Sequence, residues 1–240
     1  MKKIIALNLK MNHDYEEMEQ YVKTITNKIS DNNDIIIFPS SLYLNLFKEC
    51  GYKLGAQNVY SLDKGAFTGE ISPLQLKTLG ISYALVGHSE RRIHFKEDDK
   101  LINSKVEGCL RNNLKVILCI GETDEERRLK KTALILKRQI VSDFKGVEHE
   151  WLQDITIAYE PVWAIGSGKV PKNEEVEDAI KYIKKIINEA YGVDLKVLYG
   201  GSVNKDNIKS LLSIKNLDGV LVGTASIDPK YLVSMLDLVD

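Results

Sequence analysis

The stretch that decides the fold reads AYEPVWAIGSGK and occupies residues 158–169. It starts within a consecutive apolar run, Ile155–Tyr159, which is typical of a parallel strand buried on both faces. Glu160 follows directly, and the ring of Pro161 disfavours helical geometry at Glu160. We therefore predict a carboxylate at the carboxyl end of a strand, followed by a glycine-ended segment long enough to act as a lid.

A histidine occupies the equivalent place in the stretch VGHSERR, residues 86–92. The apolar run Tyr83–Val86 ends there, His88 follows, and Ser89 begins a predicted short helix. Backbone N–H groups at a helix start disfavour a charged imidazolium, so we predict that His88 is a neutral hydrogen-bond donor. A glutamate and a histidine at two strand ends suit an enzyme that moves protons.

The same alternation extends over the chain and predicts eight strands. The apolar runs occupy residues 4–9, 34–38, 53–57, 83–86, 115–120, 155–159, 196–199 and 219–222. Eight strand–helix pairs without a linker predict one closed (β/α)8 barrel domain over residues 1–240, although strand counting leaves an open doubly wound sheet as an alternative.

Helical periodicity marks the stretches between the runs. Three predicted helices each have one apolar face. The residues of these faces are Tyr15, Met18, Val22, Ile25 and Ile29 in the first helix, Leu129, Ala133, Leu136 and Ile140 in the second, and Val176, Ile180, Ile183 and Ile187 in the third. Asn173 and Asp228 are predicted caps, Asp228 with Pro229 in the first helical position. A short helix is expected over residues 73–79, after a long loop.

Composition limits the class of protein. The chain has 240 residues, of which 44% are hydrophobic and 28% charged, and its net charge is −1, which argues against nucleic acid or an anionic membrane as partner. The three cysteines form no CxxC pair, which argues against a disulfide framework and favours a reducing, cytoplasmic location. Histidine pairs at metal-ligand spacing are absent from the sequence, so we expect no metal. The apolar stretch after Met1 is too short for an export signal, and no membrane span is predicted.

Polar residues and glycines gather where the predicted strands end, which is the catalytic rim of such barrels. They are Asn8 and Lys10, Gln57 and Asn58, His88, Gly121 and Glu122, Glu160, Gly200 to Ser202, and Gly223 and Thr224. Lys10 offers a cation for an anionic substrate, and the last two groups predict a phosphate site, because glycines let backbone amides approach an anion closely. A nucleotide P-loop at residues 163–169 is rejected, since Trp163 stands where that motif needs glycine. Cys119, inside an apolar run, is predicted to be a buried structural thiol.

Several motifs together resemble the triosephosphate isomerase family along essentially the full length. They are NLKMN at 8–12, GAQN at 55–58, GAFTGE at 65–70, residues 86–92, CIGE at 119–122, residues 158–169, YGGSV at 199–203 and VGTAS at 222–226. The resemblance implies a TIM barrel that interconverts dihydroxyacetone phosphate and D-glyceraldehyde 3-phosphate through an enediol(ate), without a cofactor, in glycolysis and gluconeogenesis.

The resemblance also implies roles for individual residues. Glu160 would move the proton, His88 would polarise the carbonyl, Lys10 would stabilise negative charge and Asn8 would orient the oxygens. Glu90 would support Lys10, and a lid over residues 161–172 would exclude water. The phosphate would be held by the backbone of Gly166, Ser202, Gly223 and Thr224.

A homodimer is a further implication of the resemblance. The loop at residues 65–72 would enter the neighbouring subunit, and Thr68 would brace the neighbour's Asn8 and Lys10. The chain departs from the family pattern at Leu9, Ser167 and Thr224 and in the run Val170-Pro171-Lys172. We expect Thr224 to bind phosphate only if its backbone angles suit a residue with a Cβ, and we expect Pro171 to restrict the far hinge of the lid.

Two other readings of the residues remain at this point. Another phosphate-handling barrel, such as a sugar-phosphate epimerase or a tryptophan-pathway enzyme, would share the phosphate corner without needing the glutamate and histidine segments. The other is a catalytically inactive barrel kept as a binding or scaffold protein. Loss of Lys10, His88 or Glu160 would have favoured that reading, and all three are present.

Overall fold

Eight parallel strands form a closed barrel in the computed structural model, which describes residues 2–26, 28, 32–165 and 171–239. The strands are β1 (Ile4–Asn8), β2 (Asp34–Phe38), β3 (Lys53–Ala56), β4 (Tyr83–Val86), β5 (Lys115–Ile120), β6 (Ile155–Tyr159), β7 (Val197–Tyr199) and β8 (Gly219–Val222). Their order around the barrel is the order along the chain, and β8 pairs with β1. The predicted barrel is confirmed, and the open sheet is excluded.

Alternate strand residues fill the barrel interior, because successive side chains of a strand point to opposite faces. The interior cluster comprises Ile4, Ala6, Ile36, Phe38, Leu85, Ile117, Cys119, Ala158, Leu198 and Leu221. The intervening strand residues pack outward against the helices in the larger core. Two residues beyond Ala6 and Ala158 come Asn8 and Glu160, so the same alternation directs both side chains toward the barrel mouth.

The helices surround the barrel. They are α1 (Tyr15–Ile25), α2 (Pro73–Thr78), α3 (Ser89–His94), α4 (Asp99–Arg111), α5 (Asp124–Arg128), α6 (Thr132–Asp143), α7 (Asn173–Tyr191), α8 (Ile208–Leu212) and α9 (Pro229–Leu236). Short 3-10 turns span Ser41–Phe47, His149–Asp154, Val162–Ala164 and Thr224–Ser226. Over the ranges described, none of these helices is long and apolar enough to cross a membrane.

The predicted helix faces and caps are partly confirmed. Asp228 caps α9, since its Oδ1 accepts the N–H groups of Lys230 and Tyr231. The apolar face of α7 is buried as predicted. Asn173 is not a cap but the first residue of α7, and its amide donates to Ser210.

The face predicted to begin at Leu129 is right in its second half and wrong in its first. Leu136 and Ile140 are buried as predicted, but Leu129 is exposed in the break between α5 and α6, and Ala133 is also exposed. The full buried face of α6 comprises Ile135, Leu136, Gln139, Ile140 and Asp143. On α1, Met18, Tyr21 and Ile25 are buried while Tyr15 is exposed, and Ile29 lies outside the described residues.

Candidate active site

A cavity of about 560 Å³ lies at the barrel mouth, where the carboxyl ends of the strands meet. Seven residues of the predicted site line it: Asn8, Lys10, His88, Glu160, Ser202, Gly223 and Thr224. Glu90 lines the adjoining cavity, and Thr68 is exposed in the loop before α2. Gly166, the remaining predicted phosphate ligand, lies outside the described residues, as do Ser167 and Lys169 of the proposed lid.

The Glu160 carboxylate is in contact with His88 and with the start of α3. Its Oε1 lies 3.1 Å from Nε2 of His88, and its Oε2 accepts the backbone N–H of Ser89 at 3.0 Å. Sequence reasoning missed the Ser89 contact, because a backbone donor carries no residue-type signal. Both side chains are almost fully buried, which makes this a low-dielectric pair.

The His88 ring is oriented by the helix that it caps. The backbone N–H of Glu90 donates to Nδ1 of His88 at 3.2 Å. Nδ1 must therefore keep its lone pair, and the proton of the neutral ring sits on Nε2, the atom that faces Glu160.

Glu160 and His88 shift each other's pKa. Burial alone would raise the pKa of Glu160, but the neighbouring His88 and the Ser89 N–H outweigh it, so the pKa lies below its ordinary value. Burial lowers the pKa of His88, but the Glu160 carboxylate, helped by Glu90, outweighs that effect and raises it. This shift is opposite to the one expected from the helix start, because the effect of the nearby carboxylates exceeds that of the backbone N–H groups. Contact between Glu160 and His88 causes both pKa shifts, so both depend on the two side chains remaining together.

Lys10 is held in an unusual backbone conformation, with φ at 54°, in the left-handed region that non-glycine residues rarely adopt. Its N–H donates to the Asn8 side chain at 3.0 Å, and its carbonyl accepts from Gln57 at 2.8 Å. The Lys10 Nζ donates to Oε1 of Glu90 at 2.7 Å. Gln57 is thus a supporting residue whose position at a strand end was noted but whose role was not predicted.

Glycines at the ends of β7 and β8 make room for the two charged side chains. A Cβ on Gly200 would lie 2.8 Å from Cγ of Glu160, and a Cβ on Gly223 would lie 3.1 Å from Cε of Lys10. Thr224 begins the 3-10 turn Thr224–Ser226, whose backbone angles accommodate a side chain. The extra Cβ at Thr224 therefore does not strain this corner.

Ser202 connects the phosphate corner to the segment after β6. Its hydroxyl donates to the carbonyl of Ala164 at 2.7 Å, and its own carbonyl accepts from Asn207 at 2.8 Å. These two hydrogen bonds fix the backbone at Ser202 next to Ala164, which lies at the start of the proposed lid.

Trp163 lines a second cavity, beside Glu122 and Tyr159, and is not among the residues that line the cavity at the barrel mouth. Its indole N–H donates to Oε1 of Glu122 at 2.9 Å, and the Arg127 guanidinium lies 3.6 Å from the ring centroid. Ile165 is the apolar lid residue that lines the cavity with Glu160. Cys119 is fully buried, as predicted, and burial raises the pKa of its thiol.

Within the ranges that the structure describes, no group of three or more histidine, cysteine, aspartate or glutamate side chains is arranged to hold a metal ion. The side chains and backbone N–H groups at the mouth are themselves suited to chemistry. These are a buried carboxylate, an imidazole that presents Nε2, a lysine ammonium and a glycine-lined corner suited to an anion.

A closed (β/α)8 barrel with this acid–base pair at its mouth is typical of barrel enzymes that catalyse proton transfer. A sequence model of the family described as "Triosephosphate isomerase" matches residues 3–239. The chain belongs to the triosephosphate isomerase family.

Individual relatives agree with this membership. "Triosephosphate isomerase" from Dictyoglomus thermophilum is 42% identical over 239 residues, which covers 95% of this chain and 96% of the relative. The protein of that name from Aquifex aeolicus is 41% identical over 245 residues, covering 98% and 99%, and the one from Alkaliphilus oremlandii is 38% identical over 245 residues, also covering 98% and 99%. The resemblance drawn from the motifs is confirmed, and the epimerase and tryptophan-pathway readings are set aside.

Proposed function

We propose that this chain is an isomerase that interconverts dihydroxyacetone phosphate and D-glyceraldehyde 3-phosphate, a step of glycolysis and gluconeogenesis. The observation that carries the proposal is the contact between Glu160 and His88 at 3.1 Å, beside Lys10, at the mouth of a barrel of this family. A base, a neutral hydrogen-bond donor and a cation are the groups that an enediol(ate) route requires.

Glu160 is the proposed base, which removes a proton from one substrate carbon and returns it to the neighbouring carbon. In the resting arrangement its carboxylate is bound to His88 and Ser89, which keep its pKa low and make it a weak base. Turning toward substrate would break these contacts inside a buried site. Burial would then dominate and raise the pKa, so the carboxylate becomes a stronger base when it reaches the substrate.

His88, Lys10 and Asn8 are the proposed partners of the substrate oxygens. Nε2 of His88 is free to donate to the carbonyl once Glu160 leaves, because Nδ1 is occupied by the Glu90 N–H. The Lys10 ammonium, held by Glu90, stabilises the negative charge that develops on oxygen. Asn8, fixed by the Lys10 N–H, orients the two oxygens.

The phosphate group is proposed to bind at the backbone of Ser202, Gly223 and Thr224, with Gly166 completing the site. Support comes from their placement around one cavity and from the room that Gly223 leaves beside Lys10. The segment 161–172 is the proposed lid, which would exclude water and so protect the intermediate from losing its phosphate. We expect the reaction to need no cofactor.

The direct test is turnover of D-glyceraldehyde 3-phosphate by the purified chain, coupled to an enzyme that oxidises NADH as dihydroxyacetone phosphate appears. We expect saturable activity that persists after exhaustive treatment with a metal chelator. Absence of turnover by a folded chain, shown by circular dichroism, would leave the inactive binding barrel as the better description.

We also propose a homodimer in which the loop at residues 65–72 enters the neighbouring subunit and Thr68 reaches its Asn8 and Lys10. Met11 is 94% exposed and Phe95 is 65% exposed, and both border a cavity of about 420 Å³ that adjoins Asn8 and Lys10. A second copy's loop would cover these apolar side chains, which a chain in isolation leaves in water.

Light scattering after gel filtration tests this assembly. Met11→Lys should give monomers with lowered kcat, because the charge would be buried against the neighbouring loop. Leu134→Lys is the matched control, since Leu134 is 63% exposed on α6, outside the proposed interface. A monomeric wild-type chain with full activity would refute the dimer.

We further propose a cytoplasmic location, consistent with the three buried free cysteines at Cys50, Cys109 and Cys119.

A further inference from the structure

Helix α6 buries two polar side chains one turn apart on an otherwise apolar face. Gln139 is 4% exposed and Asp143 is fully buried, next to Leu136 and Ile140. Gln139 accepts the N–H of Gly121 at 2.9 Å and donates to the Gly121 carbonyl at 3.2 Å, so it braces the end of β5. A buried carboxylate is costly unless it is paired, which raises the question of what Asp143 holds.

Asp143 holds Arg92 of α3. Its Oδ2 accepts from Nη2 of Arg92 at 3.2 Å, whereas its Oδ1 has no hydrogen-bond partner among the described residues. Nη1 of Arg92 donates to Oδ1 of Asp99 on α4 at 2.6 Å. The guanidinium is therefore fixed between two carboxylates, one buried and one near the surface.

The remaining donors of Arg92 hold the backbone beneath the acid–base pair. Nε donates to the carbonyl of Gly87 at 2.9 Å, and Nη2 also donates to the carbonyl of Cys119 at 3.2 Å. Gly87 has φ at 73°, and a Cβ there would lie 3.1 Å from the Cys119 carbonyl. One guanidinium thus joins the ends of β4 and β5, directly before His88 and beneath Glu160.

We propose that Asp143 is a positioning residue for the isomerisation: by fixing Arg92, it sets the backbone of Gly87 and Cys119 and thereby the alignment of His88 with Glu160 and substrate. This inference rests on the proposed function. Asp143 lies outside the substrate cavity, so its effect passes through Arg92 and falls on the chemical step more than on phosphate binding.

The charge of Asp143 sets how strongly Arg92 is held. The charged groups that face it are Arg92 on α3, Asp99 on α4 and Arg138 on its own helix. Burial raises the pKa of Asp143 to about 7, with Asp99 adding to the rise and the two arginines opposing it. Asp143 therefore changes charge near neutral pH, and alignment of the pair should improve as the carboxylate ionises.

The test compares Asp143→Asn with the wild-type chain over pH 5.5–8.5. Asparagine keeps the shape and accepts a hydrogen bond from Arg92 but cannot ionise. We expect kcat to fall by about twofold to thirtyfold at pH 8, the range of coupling through packed networks, with KM nearly unchanged. The kcat ratio of wild type to variant should shrink toward one as the pH falls below 7.

Two further variants separate positioning from general damage. Arg92→Lys keeps the charge but cannot hold both carbonyls, so it should lower kcat, and adding Asp143→Asn should then cost little more. Asp154→Asn removes a carboxylate at the amino end of β6, away from the mouth, and should behave as wild type. All variants are compared for thermal midpoint, so that loss of fold is recognised.

A measurement that does not depend on enzyme activity can test this inference even if the proposed function is wrong. The side-chain Nε–H NMR signal of Arg92, which donates to Gly87, should titrate with a midpoint near pH 7, the pKa of Asp143, and that step should vanish in Asp143→Asn. If the step persists, or if kcat of Asp143→Asn follows the wild-type pH profile throughout, Asp143 does not position the pair. Parallel loss of kcat and phosphate affinity would equally overturn the proposal.

Discussion

Oε1 of Glu160 lies 3.1 Å from Nε2 of His88, so the base and the hydrogen-bond donor of the proposed reaction are in contact with each other. Each must release the other before either reaches substrate. The contact keeps the carboxylate ionised and the imidazole proton on Nε2, the two states that the reaction needs at its start.

Replacing Glu160 by glutamine removes the base while keeping the shape of the side chain. We expect turnover to fall by at least ~10²-fold, the scale of lost general-base catalysis. The affinity for a non-reacting phosphate ligand, measured by calorimetry, should stay within about twofold, since the phosphate corner is separate. Equal loss of turnover and affinity would indicate a role in folding or binding instead.

Replacing His88 by glutamine should shift the pH dependence of the residual activity. Wild-type Glu160 has a lowered pKa, so the base form persists as the pH falls, until it drops through that lowered value. Without His88 the burial effect dominates and the pKa of Glu160 rises, so the acid limb of kcat/KM moves to higher pH. An unmoved acid limb, measured between pH 4.5 and 8, would contradict the coupling of the two groups.

Gly223→Ala should disturb Lys10 and little else. The new Cβ would lie 3.1 Å from Cε of Lys10, so the end of the Lys10 side chain must move slightly beside Glu90 and the substrate site. We expect kcat/KM to fall, but by less than the ~10²-fold that a misplacement of about 1 Å costs. Thr224→Gly is the control: because the 3-10 turn already accommodates its Cβ, steady-state constants should change by less than about threefold.

Asp143→Asn should flatten the dependence of stability on pH. The pKa of Asp143 is raised to about 7 in the folded chain, above its ordinary value near 4 when unfolded, so the unfolded state loses its proton first. The free energy of unfolding of the wild type should therefore decline between pH 4 and 7 by about 1.4 kcal/mol per unit of that pKa difference. Urea titrations at pH 5 and 8, at fixed protein concentration, should show a smaller difference for the variant; equal differences would contradict the raised pKa.

Pro171→Ala should loosen the far hinge of the proposed lid. Pro171 is buried beside Trp163 and Tyr182, and its ring fixes φ where the segment joins α7. We expect faster opening and closing of residues 161–172 in relaxation-dispersion measurements. Unchanged exchange rates would show that Pro171 does not restrict the hinge.

Much of the barrel could be predicted because its signals are local. Each predicted strand matches an observed one to within one residue at either end, since apolar runs and their polar ends are written in consecutive positions. Asn8, His88 and Glu160 were placed at the mouth for the same reason. Their mutual distances were not predictable, because they depend on how separate strands pair around the barrel.

Errors arose where tertiary packing overrides a local pattern. Leu129 fits a helical period but falls in the break before α6, and the true buried face includes Asp143, which no apolar pattern would select. Trp163 donates to Glu122 across a separation of 41 residues, a contact that no local pattern predicts. The Arg92 guanidinium likewise joins α4, β5, α6 and the residue after β4, and only the folded chain brings these together.

The burial of Glu160 also bears on chemical labelling and inhibitor discovery. Its carboxylate is 2% exposed and is bound by the N–H of Ser89 and the imidazole of His88, so we expect it to react poorly with a carbodiimide in solution. We expect an electrophile that carries a phosphate group to bind in the cavity first, so that the Glu160 side chain turns toward it and forms a covalent bond. Covalent ligands for this cavity should therefore carry an anion that binds the phosphate site, because a reactive group without one would not reach the buried carboxylate.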